Sequence, residues 1–152
     1  MLRTRVEGGP EIAAALDGMG EEMAGKSLEI AAMTGAQLLA NAWKNTVGYV
    51  TGAYKRSIHA DVTQRVKGYV QVTVGTDIID PPYPFILEYG AVITVKTAKW
   101  LTFKTKDGSW HRVKSVRIPA FGWARKAWDM SINRVNLEIW NALMAIVDKY
   151  WR

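Results

Sequence analysis

The sequence contains no cysteine and only two histidines, and each shortage excludes a class of chemistry. Without cysteine the chain can form neither disulfides nor thiolate metal sites, which agrees with a reducing compartment such as the cytoplasm. Neither His59 nor His111 lies in a recognised catalytic setting. The sequence therefore indicates no enzyme, and we assign no catalytic, cofactor-binding or metal-binding residue. The longest apolar runs are far too short to cross a membrane, and the first residues lack the apolar stretch of a secretion signal.

The residues that are present fit one folded domain over positions 1–152. A chain of this length with 49% hydrophobic residues can bury a core. Seven Trp and six Tyr are many for this length. Such residues either fill the core or lie where surfaces meet partners.

Basic residues are concentrated between positions 96 and 117, where seven of them accompany Asp107 as the one acidic residue. A basic stripe can face nucleic acid or an acidic partner. It can equally be the solvated edge of a hairpin that resists aggregation. Both interpretations stay open at this point.

The patterning predicts an α+β fold with helices at both ends and a small, mainly antiparallel sheet between them. We expect a helical segment over 10–47, a β-rich segment over 57–118 and a C-terminal helix over 119–150. In the first segment a helix opens at Pro10-Glu11, and a longer one runs from about 21 to 45. Small residues on the longer helix would let another backbone approach. Its predicted inner face comprises Leu28, Ala31, Ala32, Gly35, Leu39, Ala42 and Trp43.

Within the β-rich segment, residues 58–66 suggest one strand, and the alternation over 69–74 predicts a second after a Lys67-Gly68 turn. The prolines of residues 80–84 predict a rigid loop. A third strand is expected over 91–95. A basic hairpin is then predicted over 99–118, with an Asp-Gly turn.

Three short motifs follow one another along the chain, and each is typical of a corner between two elements. They are Thr51–Ile58, Phe85–Gly90 and Arg117–Ala124. With a helix at each end, the ordered set resembles the neck or tail-completion proteins of tailed bacteriophages, small subunits that join the filled head to the tail. The likeness spans about residues 12 to 145. The matching positions are Thr51, Gly52, Ser57, Glu88, Gly90, Pro119 and Phe121, while Tyr54 and Tyr89 stand where Leu and Phe are more usual.

The resemblance implies a structural virion protein, made in the host cytoplasm and located at the head–tail junction. Such a subunit would form a ring with copies of itself, six being the natural number from tail symmetry, around a channel for DNA. Its other partners would be the head-closure (connector) protein on one side and the tail terminator or tail tube protein on the other, with no membrane involved. Candidate interface or DNA-channel residues are Lys104, Lys106, Arg112 and Lys114.

Two alternatives remain at the level of the sequence. The chain could itself be the terminator ring that caps the tail tube. It could also be a small basic nucleic-acid-binding module that uses Trp100 and Trp110 for stacking. Alternatively, those two tryptophans are cross-strand partners that cover the hairpin.

Local physical chemistry suggests roles for the corner residues. Gly52 and Gly90 can adopt positive φ. Ser57 could accept a hydrogen bond from a free amide at a short helix end. Glu88 could accept amide hydrogens, or pair with Arg56 or Arg117 within or between subunits. His59 is expected on a strand facing solvent, and Asp77 and Asp80 fit turn chemistry better than a cation site.

Overall fold

A computed structural model describes residues 9–48, 52–78 and 83–151. The α+β class predicted from the sequence is confirmed within these residues. The helices are α1 (Gly9–Ala24), α2 (Lys26–Thr46), α3 (Gly52–Ser57), α4 (Tyr83–Tyr89) and α5 (Trp123–Trp151). The strands are β1 (Ile58–Val66), β2 (Tyr69–Thr76), β3 (Ala91–Thr94), β4 (Leu101–Lys104), β5 (Trp110–Val113) and β6 (Ser115–Ile118). They form three separate antiparallel pairs, β1–β2, β3–β6 and β4–β5, rather than one sheet.

The first two helices meet at Gly25, four residues later than predicted. α1 continues through Gly18 and Gly20 to Ala24. Its last turn is held by Glu22, whose carboxylate accepts hydrogen bonds from Lys149 Nζ at 2.7 Å and the Tyr150 hydroxyl at 2.8 Å. These contacts lie more than a hundred residues away along the chain, so local spacing could not reveal them.

α2 and α5 form the main packing seam of the protein. Ala31 and Gly35 of α2, and Ala127, Val135 and Ile146 of α5, are buried. A Cβ at Gly35 would lie 2.6 Å from Ile139 Cδ1, so the two helices approach closely at this point. The space left by Gly35 is filled by the Ile139 and Val135 side chains of α5, where the sequence predicted the approach of another backbone.

A compact cluster joins the end of α2 to α3 and the first strand. Its buried members are Ala40, Val47, Tyr54 and Ile58. Partly buried side chains complete it, namely Trp43, Val74, Ile78 and Trp123. This cluster also fixes the first turn of α5, because Trp123 belongs to both.

The β1–β2 hairpin packs along α2. Its register runs from Ile58↔Thr76 to Val66↔Tyr69 and shifts between Val62 and Gln64, which explains the mixed period seen in the sequence. Gly68 makes the predicted turn with φ +76°. Arg65 forms an ion pair with Glu29 of α2. Both predicted strands are therefore confirmed.

Two predicted boundaries around the second and third motifs are wrong. Tyr83 and Pro84 belong to α4 instead of a loop, since proline is tolerated in a first helical turn. Residues 80–82 of the expected loop lie outside the described residues. α5 begins at Trp123 instead of Pro119, because Gly122 adopts φ +60° immediately before the helix.

Candidate assembly interface

The second and third motifs meet at one corner, where Glu88 caps α5. Its Oε2 accepts a hydrogen bond from the Ala124 amide at 2.9 Å, and its Oε1 accepts one from Arg125 at 3.2 Å. Both amides belong to the first turn of α5, which has no intrahelical acceptors and carries a partial positive charge. Glu88 therefore accepts amide hydrogens, and within the described protomer it forms no ion pair with Arg56 or Arg117.

Gly90 and Phe121 shape the backbone of the same corner. Gly90 has φ +75°, as predicted, and a Cβ there would lie 2.9 Å from both Ala120 N and Ile118 O. The Phe121 amide donates to Leu87 O at 2.8 Å, and its ring stacks on that of Trp123 with centroids 5.1 Å apart. Pro119 is exposed and adjoins Gly90, since its carbonyl carbon lies 3.2 Å from the position that a Cβ of Gly90 would take.

The first motif supports α5 from the other side through the core cluster. Tyr54 and Ile58 pack with Trp123. Burial raises the pKa of the Tyr54 hydroxyl, and the nearby Glu88 carboxylate raises it further. Thr46 Oγ1 also donates to Trp123 O at 3.0 Å. All three motifs thus converge on the start of α5.

Two predictions about residues of the first motif are wrong, and a third residue lies outside the described part of the chain. Ser57 Oγ donates to Tyr54 O at 2.7 Å and lies 2.6 Å from Thr76 Oγ1, so the predicted bond from a free amide is wrong. Gly52 lies in α3 without positive φ, so that prediction is wrong as well. Thr51 lies outside the described residues.

The basic segment forms a long two-stranded ribbon, residues 91–118, which we call the β-arm. β3 and β6 pair at its base, and β4 and β5 pair at its tip. Val95 N donates to Lys114 O at 3.1 Å between the two ladders. The predicted hairpin is therefore confirmed over β4–β5, but its expected span of 99–118 is wrong because β6 pairs with β3.

One face of the β-arm tip combines positive charge with aromatic surface. Alternation along the ladder places Thr102 opposite Arg112 and Lys104 opposite Trp110 on this side. We call these four residues the basic face. Lys114 lies toward the arm's base, with Nζ 5.7 Å from the centroid of Trp100, and Lys106 lies in the exposed tip turn. Of the predicted interface residues, the structure thus brings Lys104 and Arg112 together.

The two hairpin tryptophans are not cross-strand partners, contrary to that interpretation. Trp110 pairs with Lys104, and Trp100 precedes β4. Trp110 is 70% exposed. On the opposite face of the tip, His111 stacks on Phe103 at 5.6 Å. Hydrogen bonds from Thr105 and Ser109 in the tip turn lower the pKa of Asp107, the one acidic residue of the β-arm.

α5 carries a second apolar stripe, which the predictions from the sequence do not include. It lies opposite the face packed on α2, and three intervals of seven residues separate four of its members. We call it the outer stripe; it consists of Met130 (79% exposed), Leu137 (56%), Trp140 (61%), Met144 (37%) and Trp151 (72%). The seven-residue spacing was readable in the sequence. Helical spacing in the sequence predicts an inner stripe of Ala124, Ala127, Trp128, Ile132, Val135, Ile139, Leu143 and Ile146, and of these Trp128 is in fact exposed.

His59 is half-buried and partnered rather than simply solvated. Its Nδ1 lies 2.7 Å from Ser57 O, and its Nε2 lies 2.7 Å from Asp61 and 3.5 Å from Asp77. The Ser57 carbonyl, followed by the two carboxylates, raises the pKa of His59. Asp77 thus serves this local network, while Asp80 lies outside the described residues.

Comparison of the chain with family models, curated proteins and solved structures finds no match. None of the described helices combines the length and apolar character that a membrane crossing needs.

Proposed function

We propose that this chain is a structural subunit of a tailed-phage neck, without enzymatic activity. In this proposal it forms a ring, with six copies expected from tail symmetry, that joins the head-closure proteins to the tail around a DNA channel. The ordered motifs support the proposal because their side chains converge to fix α5. The observation that carries it is the apolar character of α5 on two opposite faces.

The outer stripe is the part of α5 that needs a partner. The inner face is already covered by α2, whereas the outer stripe extends over about 30 Å of helix. Clustered exposed apolar side chains mark interaction sites. Repeats of seven residues suit packing against another helix. In a ring, a neighbouring subunit would cover the outer stripe of each copy.

The core of the isolated protomer is correspondingly thin. Among the described residues, eight hydrophobic side chains are buried, whereas nineteen large ones are exposed. Exposed aromatic residues lie on the β-arm and α5, and also at two of the corners, where Phe85, Tyr89 and Phe121 are exposed. This distribution fits a subunit that completes its burial on assembly.

The terminator ring at the end of the tail tube remains an alternative, because it needs the same kind of surfaces. A terminator differs in where it binds. Binding to the ends of tail tubes, together with control of tail length, would favour this alternative. A nucleic-acid role has a separate observation in its favour, namely the basic face with its exposed Trp110. Salt-sensitive binding by the isolated chain would support that role.

Gold labelling of phage particles tests the neck proposal. Particles of the tailed phage that encodes this chain, treated with an antibody against it, should carry label at the head–tail junction. Label confined to the tail tip, baseplate or capsid, or particles that lack the chain, would contradict it. A terminator would instead label the head-proximal end of tails purified before they join heads.

A further inference from the structure

The β-arm projects from the protein without covering its own aromatic surface. Neither β3–β6 nor β4–β5 packs extensively against another element of the described chain. An isolated two-stranded ribbon is only marginally stable in water, so a partner surface is expected to order it. The β-arm carries seven basic residues and one acidic residue, a net charge of +6 that equals that of the entire chain.

α1 presents a surface of opposite charge. It contains four acidic residues and no basic one. Glu22 is engaged by α5, but Asp17 and Glu21, one turn apart, are exposed. Ile12 and Leu16, also one turn apart, are exposed on another side of the helix, about 140° around its axis from the acidic pair. The face of α1 that carries Asp17 and Glu21 therefore offers carboxylates.

We propose that the basic face of one copy docks on the exposed face of α1 in the next copy. This inference rests on the proposed ring, for which it names one subunit contact. Lys104 and Arg112 would meet the carboxylates of Asp17 and Glu21 across this contact.

The geometry favours a contact between copies over one within a copy. In the described chain the β-arm and α1 form no extended contact. Two different surfaces that complement each other give a head-to-tail contact, which produces a ring when the rotation closes. Complementary charge would guide the encounter and set the register.

Charge reversal on the full-length chain tests the inference. One variant carries Lys104→Glu with Arg112→Glu, a second carries Asp17→Lys with Glu21→Lys, and a third carries all four changes. Self-association is measured by sedimentation equilibrium up to about 1 mM protein. Each pair alone should weaken association at least about tenfold, because like charges then face each other.

Restoration is the decisive result. The fourfold variant should associate within about threefold of the unaltered chain, and so should an equimolar mixture of the first two variants. Lys55→Glu with Arg56→Glu is the matched control, since it changes the charge equally at exposed positions of α3, outside the contact. This control should associate like the unaltered chain.

Three outcomes would overturn the inference. They are a monomeric unaltered chain at the highest concentration, no restoration in the fourfold variant, and arm variants that lose DNA binding but associate normally. Failure of the neck proposal would look different. Charge-swap restoration with no label at the head–tail junction would leave the contact standing and reject the neck. Label at the head–tail junction without charge-swap restoration would support the neck proposal and reject the contact.

Discussion

At the residue scale, Glu88 shows how a single carboxylate positions a helix of 29 residues. It reaches from α4 to two amides of the first turn of α5, 36 and 37 positions ahead in the chain. This bond fixes the direction in which α5 leaves the corner. The orientation of the outer stripe thus depends on a contact remote from it.

Replacing Glu88 by Ala should lower the free energy of unfolding by about 1–2 kcal/mol, because two helix-end amides lose their acceptor. Glu88→Gln should cost less, since one carbonyl oxygen remains. Urea unfolding followed by circular dichroism measures both changes. Asp129→Ala, at an exposed position of α5, is the control and should change stability by less than about 0.5 kcal/mol. Equal losses for Glu88→Ala and the control would contradict the capping role.

His59 should make stability depend on pH. The pKa of His59 is raised in the folded protein, so protonation favours folding over the unfolded chain, where the pKa is about 6.5. Its contribution is complete below that pH and is lost as pH rises through the folded pKa. Thermal unfolding between pH 5.5 and 8.5 should show this decline.

His59→Gln should abolish the decline, whereas His111→Gln should retain it because His59 keeps its partners. A decline that persists unchanged in His59→Gln would assign the effect to another group.

At the element scale, the approach of α5 to α2 depends on the missing side chain at Gly35. Gly35→Ala should destabilise the protein by about 1–3 kcal/mol, because its Cβ would overlap Ile139. The comparison is Gly20→Ala, where a Cβ meets no atom within 4 Å, and which should stabilise α1 by up to about 1 kcal/mol. Guanidinium unfolding of both variants measures the difference. A neutral Gly35→Ala would contradict the close packing, and Gly35→Ala with Ile139→Val should recover part of the loss.

Elements with strong local signals were predictable from the sequence. Alternation defined β2, the Asp107-Gly108 pair placed the tip turn, and helical spacing identified the inner faces of α2 and α5. Boundaries set by distant contacts were not. α1 ends late because Glu22 bonds to α5, and α5 begins late because Gly122 adopts positive φ just before the first turn, which Glu88 then caps from α4.

The candidate interface was predictable only in part. The basic residues of the β-arm were visible as a charge cluster, but the pairing of β6 with β3 depends on register, which composition does not define. The outer stripe carried a readable seven-residue signal. A helix normally has one apolar face, and the inner stripe of α5 already accounts for the helical spacing of its apolar residues. The outer stripe is therefore not needed to explain that spacing.

At the scale of the whole molecule, the protein combines a modest interior with many exposed apolar side chains. The corners, the core cluster and the α2–α5 seam maintain the fold. The outer stripe and the β-arm lie outside this framework. Changes at these surfaces should therefore alter assembly without altering folding.

Met130→Gln with Leu137→Gln should keep the free energy of unfolding of the isolated protomer within about 0.5 kcal/mol, because both side chains are more than half exposed. The same variant should fail to enter phage particles. Complementation of a phage lacking the gene, with particle content measured by mass spectrometry, checks this result. Asn136→Gln, an exposed polar neighbour on α5, should be incorporated normally. Normal incorporation of the stripe variant would contradict a role for that surface.

Hydroxyl-radical footprinting tests most directly whether the outer stripe is covered on assembly, because Met130, Trp140 and Met144 are oxidisable. We expect rapid oxidation of all three in the isolated chain and strong protection in intact particles. Equal oxidation rates in the two states would contradict the account.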